Sequence, residues 1–303
     1  MSQLPLGLIA FGPSANCTLE LCPLEASILQ YQPSIPANSV AIAIFGLSFI
    51  VNLVQGCYYR TWGFMAGLLS GCILEIVGYI GRIIIHDNPF DFNGFIMQII
   101  CITIAPVFFC AAIYVLLSRV IILVDERLSR IPPRFLGWIF ITCDIISLVL
   151  QAVGGALSCI GDTKDDIQVG VDISLAGLVF QVVTLTLFGS LFIDYLLSCR
   201  RSGKHWTFKP RLSFFLTFLC LSMFLVLLRC VYRVVELHEG YFSHYFRDEP
   251  LFIALETAIM CAAALCLNVG HPGLVFGKSG GEPAKEEEEA EYRMMKLDSR
   301  GAQ

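Results

Sequence analysis

Long apolar stretches, each interrupted by a few polar positions, recur seven times along this chain. They lie near Val40 to Tyr58, Phe64 to Ile85, Phe95 to Leu117, Gly137 to Leu157, Ile173 to Leu197, Leu212 to Val234 and Leu251 to Val269. Each approaches the roughly 20 residues that a helix needs to cross about 30 Å of hydrocarbon. The period-two alternation of a membrane β-barrel is missing, so helices remain as the way to satisfy the backbone in lipid. The pattern predicts an all-α, polytopic membrane protein with seven transmembrane helices. Composition agrees: the 303 residues are 56% hydrophobic and 15% charged, with a mean hydropathy of +0.72, unlike a water-soluble domain.

Lys and Arg in the connecting loops set the orientation, because short cytoplasmic loops retain them. The first loop carries Arg60, the third Arg119, Arg127, Arg130 and Arg134, and the fifth Arg200, Arg201, Lys204, Lys209 and Arg211. The second loop (HDNPFDFNG) has none, the fourth (GDTKDDIQVGVD) only Lys164 and the sixth only Arg247. The expectation is an N-terminus outside and a C-terminus in the cytoplasm. Residues 1–39 then form an extracellular N-terminal segment, 40–271 the transmembrane domain, and 272–303 a disordered acidic cytoplasmic tail. The N-terminal region lacks the charged start and apolar core of a cleaved signal, so it is expected to be retained, with the first helix as anchor.

Polar groups inside the spans change the picture. The stretch ILEIVGYIGRIII, Ile73 to Ile85, places Glu75 and Arg82 in a membrane helix. Its eight Ile, Leu and Val residues, at about −0.3 to −0.6 kcal/mol each, roughly offset one central carboxylate at about +2.5 to +3.5, leaving little for Arg82. Seven residues separate the two, roughly 10 Å along one face, so each wants a partner on another helix. Gly67, Gly71, Gly78 and Gly81 would let neighbours come close. Asp144 and Gln151 share a face of the fourth helix; Gln98 and Gln181 lie in the third and fifth. Arg229, Arg233 and Glu236 follow at i, i+4 and i+7 in the sixth, and Glu256 enters the seventh. By depth, most of these fall in the outer half, with Glu75 near the midplane and Asp144 in the inner half. The expectation is one polar vestibule narrowing toward Glu75 and Asp144, since intramembrane ionisable groups point to function. Pro106 in the third helix is expected to kink it, as a gate or as a fixed shape.

In the N-terminal segment Asn16-Cys17-Thr18 fits a glycosylation acceptor, and Cys17 and Cys22 could pair in an oxidising compartment. Cys101, Cys110, Cys143 and Cys261 read as small apolar packing residues.

Several of these stretches together resemble a known family. Glu75 with GYIGR (Gly78 to Arg82), IAPVFFCAAIYVLLSR (Ile104 to Arg119), FITCDIISLVLQAVGG (Phe140 to Gly155), the cluster Arg229, Tyr232, Arg233 and Glu236, and YQPSIPAN after Cys17 and Cys22 are similar to the fungal lipid-translocating exporter family, the resistance-to-aminocholesterol-like seven-helix membrane proteins. The likeness runs from about Cys17 to Pro272. It implies seven helices with the N-terminus outside, and export or flipping of sphingoid long-chain bases, resistance to toxic amphiphiles or, in one branch, porphyrin movement. The resemblance and the sequon suggest the plasma membrane, with other membranes of the secretory pathway as the alternative.

The residues are consistent with movement of a cationic amphiphile. Glu75, Asp144 or Glu256 could hold an ammonium head while the hydrocarbon tail stays in lipid, and Glu75 could exchange a proton for that head. The vestibule would be the release path. Arg82 and Arg233, preceded by Tyr79 and Tyr232, also suggest a parallel three-plus-one-plus-three repeat.

Other classes fare worse. GLVFGKS (Gly273 to Ser279) has three residues between its glycines where a P-loop needs four, and it follows a membrane helix. A zinc lipid hydrolase would need three clustered histidines, yet His238 and His244 lie roughly 27 Å of helix from His271. No enzyme activity, cofactor, metal or nucleic-acid partner is expected; lipids are. The alternative is a seven-helix receptor or lipid sensor without transport.

Overall fold

Each apolar run forms a helix in the computed structural model, which describes residues 8, 12, 15–27, 29–124, 132–160, 164–201, 210–239 and 248–273. The helices are α1 (Ile35–Tyr59), α2 (Trp62–Asp87), α3 (Phe92–Val124), α4 (Pro133–Ile160), α5 (Lys164–Arg201), α6 (Pro210–His238) and α7 (Glu249–Val269). All seven are long and apolar enough to cross a membrane, and no strand occurs among the described residues. The chain is therefore a multi-pass integral membrane protein.

Two helices exceed the apolar pattern that announced them. With 33 and 38 residues, α3 and α5 extend about 50 and 57 Å at about 1.5 Å per residue. Arg119, expected in a loop, lies inside α3. Most of the expected fourth loop is helical because α5 begins at Lys164, with Asp165 and Asp166 in its first turn against the positive end of the helix dipole. Apolar periodicity marks only the stretch in lipid and is blind to such polar extensions. The second loop shrinks to residues 88–91, where Asp91 Oδ2 accepts the Gly94 N–H at 2.8 Å and starts α3. Of the basic loop residues, Arg127, Arg130, Lys204, Lys209 and Arg247 lie outside the described residues, as do His244 and the tail.

Successive helices pack side by side and α1 meets α7, so the seven close a ring that α3 crosses to touch α6. In lipid this association depends on close backbones and interhelical hydrogen bonds. The α2 glycines supply the first: a Cβ added at Gly67 would lie 3.2 Å from Phe108 O, and one at Gly81 3.0 Å from Gly94 O, both on α3. Between α4 and α5, Gly154 and Gly170 abut each other's backbone and Ser174 and Ser158. The closing seam supplies the second: Asn52 of α1 donates to Asn268 Oδ1 of α7 at 2.7 Å, and Asn268 donates to Ser48 Oγ at 2.6 Å.

At the end where α1 begins, the N-terminal segment lies over α2 and α3. Cys17 and Cys22 form a disulfide buried against Phe90, and Leu29 packs on Ile85 and Phe95. Glu249 ties the segment to α7 by accepting the Ser34 N–H at 2.5 Å. At the opposite end His271 is fully buried between Tyr59 and Phe64, and its Nδ1 accepts the Gly273 N–H at 3.0 Å. Nε2 therefore carries the proton, and burial pushes the imidazole pKa down from 6.5 to about 4.

Two outcomes follow. Gly154→Ala should lower the thermal midpoint in detergent by roughly 1–3 kcal/mol equivalent through overpacking, because its Cβ meets the α5 backbone; Gly155→Ala, whose Cβ meets nothing within 4 Å, should not. For His271 the folded pKa lies below the unfolded one, so the folded state binds fewer protons. Its contribution is complete above about 6.5 and is lost as pH falls toward about 4. The loss is on the order of 3 kcal/mol, and thermal midpoints across that window should show a pH slope that His271→Gln removes.

Candidate functional site

The middle of the bundle is organised around Arg229 of α6, which is 1% exposed. Its Nε donates to Glu256 Oε1 of α7 at 2.9 Å, and Nη2 bonds the same oxygen. Nη2 also donates to the Ile102 carbonyl of α3 at 2.7 Å. That carbonyl is free for a reason written in the chain. Its helical partner would be the N–H four residues on, and that residue is Pro106, which has none. Helix α3 runs on through Pro106, which thus exposes a backbone acceptor to Arg229. Glu256 sits in a π-helical turn, Ile253–Ala258, interrupting α7; such turns concentrate at functional sites.

Glu75 of α2, completely buried, lies within electrostatic reach of both Arg229 and Glu256, and neither of its carboxylate oxygens has a hydrogen-bond partner. Glu256 Oε2 is likewise unpartnered. The neighbouring polar contact is neutral, Tyr79 donating to Thr257 Oγ1 at 2.9 Å. Asp144 of α4 faces Tyr114, within electrostatic reach of Cys110 and Cys230; both Asp144 oxygens lack a hydrogen bond of normal geometry. Buried polar groups are rarely left so, and each orphan calls for an occupant or a proton.

Nearer the N-terminal segment is a narrow cleft lined by Leu29, Tyr31, Arg82, Gln98, Ile99, Ile102, Thr103, Arg233, Glu236 and Phe252. Arg82 donates from Nε to Asn38 Oδ1 and from Nη2 to the Tyr31 hydroxyl, each at 3.1 Å, and its guanidinium lies 3.9 Å from the Phe252 ring centre. Glu249 stands 4.0 Å away. Arg233 pairs with Glu236 at 2.5 Å and reaches Thr103 Oγ1 at 3.5 Å. The Arg82 guanidinium lowers the pKa of the Tyr31 phenol, but burial outweighs it and the net direction is up, so this phenol stays protonated at neutral pH.

The single expected vestibule thus resolves into separate groups. Arg82, Arg233 and Glu236 share the cleft. Arg229, Glu256 and Glu75 form the ionic cluster, with Asp144 beyond it. Gln151 and Gln181 bond each other at 3.0 Å across the α4–α5 seam and are not among the residues that line the cleft. Pro106 serves as the source of a free carbonyl. Asn16 is exposed beside the disulfide. Sequence reasoning passed over Tyr31, Asn38, Glu249 and Phe252 as site residues. Only a fold that lays the N-terminal segment on α2 and α7 brings them to Arg82. Among the described residues no group of three or more His, Cys, Asp or Glu could hold a metal ion.

Removing one partner of a buried ion pair leaves the other charge uncompensated, at a cost of about 3–5 kcal/mol. Arg229→Leu should therefore destabilise the folded protein by about that amount, whereas Arg229→Leu with Glu256→Met should cost less than the sum of the two single changes. Thermal unfolding of the four proteins in detergent measures the coupling.

The chain is similar to several known proteins. The chain is 31% identical over 291 residues to the Sphingoid long-chain base transporter RSB1 of Saccharomyces cerevisiae, covering 83% of this chain and 75% of that one. It is 31% identical to Protein RTM1 of Saccharomyces cerevisiae over 75% of this chain and 74% of the relative. It is also 31% identical to Protoporphyrin uptake protein 1 of the same species, over 66% of each. No solved structure matches it. Residues 68–279 match the family described as RTA1 like protein, which spans the ionic cluster and most of the cleft, and the chain belongs to that family.

Proposed function

We propose that this chain is a membrane transporter that moves lipid-like amphiphiles with a cationic head, of the sphingoid long-chain base or toxic-amphiphile class, and so contributes to resistance. The observation that carries the reading is the charge imbalance at the centre. Glu75 and Glu256 share one nearby guanidinium, Arg229, and three of their four carboxylate oxygens are unpartnered. An ammonium head placed there supplies both the missing charge and the missing donors. The apolar helix surfaces facing lipid suit the hydrocarbon tail. The similarity to a sphingoid long-chain base transporter supports the same reading.

In this reading Glu75 is the central head-group or proton site, Asp144 a second acidic station, and the cleft of Arg82, Arg233 and Glu236 the release vestibule. Gln151 and Gln181 hold the wall of the route. The Lys and Arg distribution puts the cleft and the N-terminal segment outside and the acidic tail in the cytoplasm, with Asn16 open to glycosylation and the plasma membrane as the site of action. No catalytic step is required of any residue.

Movement of a fluorescent sphingoid base across liposomes holding the purified protein tests the reading. The wild type should move it, and Glu75→Ala and Glu75→Gln should each slow movement at least about tenfold, a loss of about 1.4 kcal/mol. Equal rates in all three, with unchanged pH dependence, would sink the role of Glu75. Binding without movement by folded protein would favour a receptor or sensor.

A further inference from the structure

Arg82 and Gln98, on adjacent helices of the cleft, each leave a buried polar atom without a partner. Arg82 is 1% exposed and uses Nε and Nη2, but its Nη1 has no acceptor. Gln98 is 4% exposed, and its Oε1 has no donor. The two residues line the same cleft on adjacent helices, held together where Gly81 meets the Gln98 backbone, 3.0 Å from where a Cβ would sit. An unmatched donor and an unmatched acceptor in one cleft set a specific demand. A phosphate only accepts, and would leave Gln98 Oε1 unsatisfied. An ammonium only donates, and would face Arg82 unaided. A hydroxyl both donates and accepts.

We propose that Arg82 and Gln98 form a hydroxyl-recognition site, at which the alcohol of an amino-alcohol amphiphile donates to Gln98 Oε1 and accepts from Arg82 Nη1. The inference deepens the transport reading and rests on it, by naming the part of the head group that the cleft reads. The rest of the cleft fits such a head. Arg82 is fixed by Asn38 and by the Phe252 ring, so its free nitrogen is preorganised. Glu236 and Glu249 offset the cationic character of Arg233 and Arg82, so a head carrying an ammonium next to its hydroxyl is tolerated. Leu29 and Tyr31 of the N-terminal segment complete the wall. A site whose buried polar pair is matched by a substrate hydroxyl discriminates against the analogue lacking it, because the pair is then left unpaired.

The test uses full-length protein in liposomes and two fluorescent-tailed probes of equal chain length, a 2-amino-1,3-diol and a plain primary alkylamine. The wild type should move the diol at least about tenfold faster, as expected for one unmatched buried pair. Gln98→Met should bring the ratio of the two rates close to one. A wild-type ratio near one, or a Gln98→Met variant that slows both probes by a common factor, overturns the proposal and assigns the pair to bound water or to packing. Affinities of both probes for detergent-solubilised protein, measured by thermal shift, separate this from the transport reading. A Gln98-dependent preference for the diol without movement keeps the hydroxyl site and sinks transport. Movement of both probes without any preference does the reverse.

Discussion

An arginine sealed among helices must find every acceptor inside the protein, and the way Arg229 does so fixes the centre of this bundle. It takes a carboxylate from α7 and a backbone carbonyl from α3, fastening three helices at one depth. Neither acceptor is supplied by regular helix. The Ile102 carbonyl is available because Pro106 cannot donate to it, and Glu256 is presented from a π turn. Two local departures from α-helical hydrogen bonding thus converge on one guanidinium. Their cost is offset where they meet, since a hydrogen bond to a charged donor contributes about 1.5–3 kcal/mol. This explains how α3 crosses the ring to reach α6 although packing in lipid gives no hydrophobic advantage.

Much of this was legible in the chain. Seven apolar runs became seven helices, because a span must satisfy its own backbone and bury few charges. The α2 glycines announced a close neighbour, and each of the four faces α3. Glu75 and Arg82 announced polar surroundings, and both are buried among them. What stayed hidden depends on which helix stands next to which. A proline reads as a kink until an arginine is known to face the carbonyl it frees. Gln151 and Gln181 share an outer depth with the cleft residues, but depth alone does not say that they face each other between α4 and α5. Tyr31 and Glu249 lie far from Arg82 in sequence and acquire meaning only through the path of the N-terminal segment over α2 and its tie to α7.

The distribution of bonds also separates structural polarity from polarity held in reserve. The Asn52, Asn268 and Ser48 seam joins α1 to α7 by a chain of hydrogen bonds, and Tyr79 with Thr257 closes a neutral pair. Such contacts account for interhelical adhesion. Glu75 and Asp144 do not behave in this way: each is buried, acidic and without a normal hydrogen bond. A bundle selected for stability alone would gain by replacing them with apolar groups of similar volume. In the proposed transport reading, a visiting cationic head would supply the partner that they lack.

Spacing then constrains how an amphiphile would use the two levels. Glu75 and Arg82 are seven residues apart, roughly 10 Å along α2, whereas the amine and hydroxyl of an amino-alcohol head sit on neighbouring carbons. One head cannot satisfy both levels at once. In the proposed transport reading the cleft and the acidic centre would therefore act in series, with the hydroxyl read at Arg82 and Gln98 and the ammonium held at Glu75. In the same reading Arg229 would keep the centre from binding a cation too tightly, since its own charge already satisfies one oxygen of Glu256. A carrier needs that moderation, because a head bound by two free carboxylates in a low-dielectric interior would not leave.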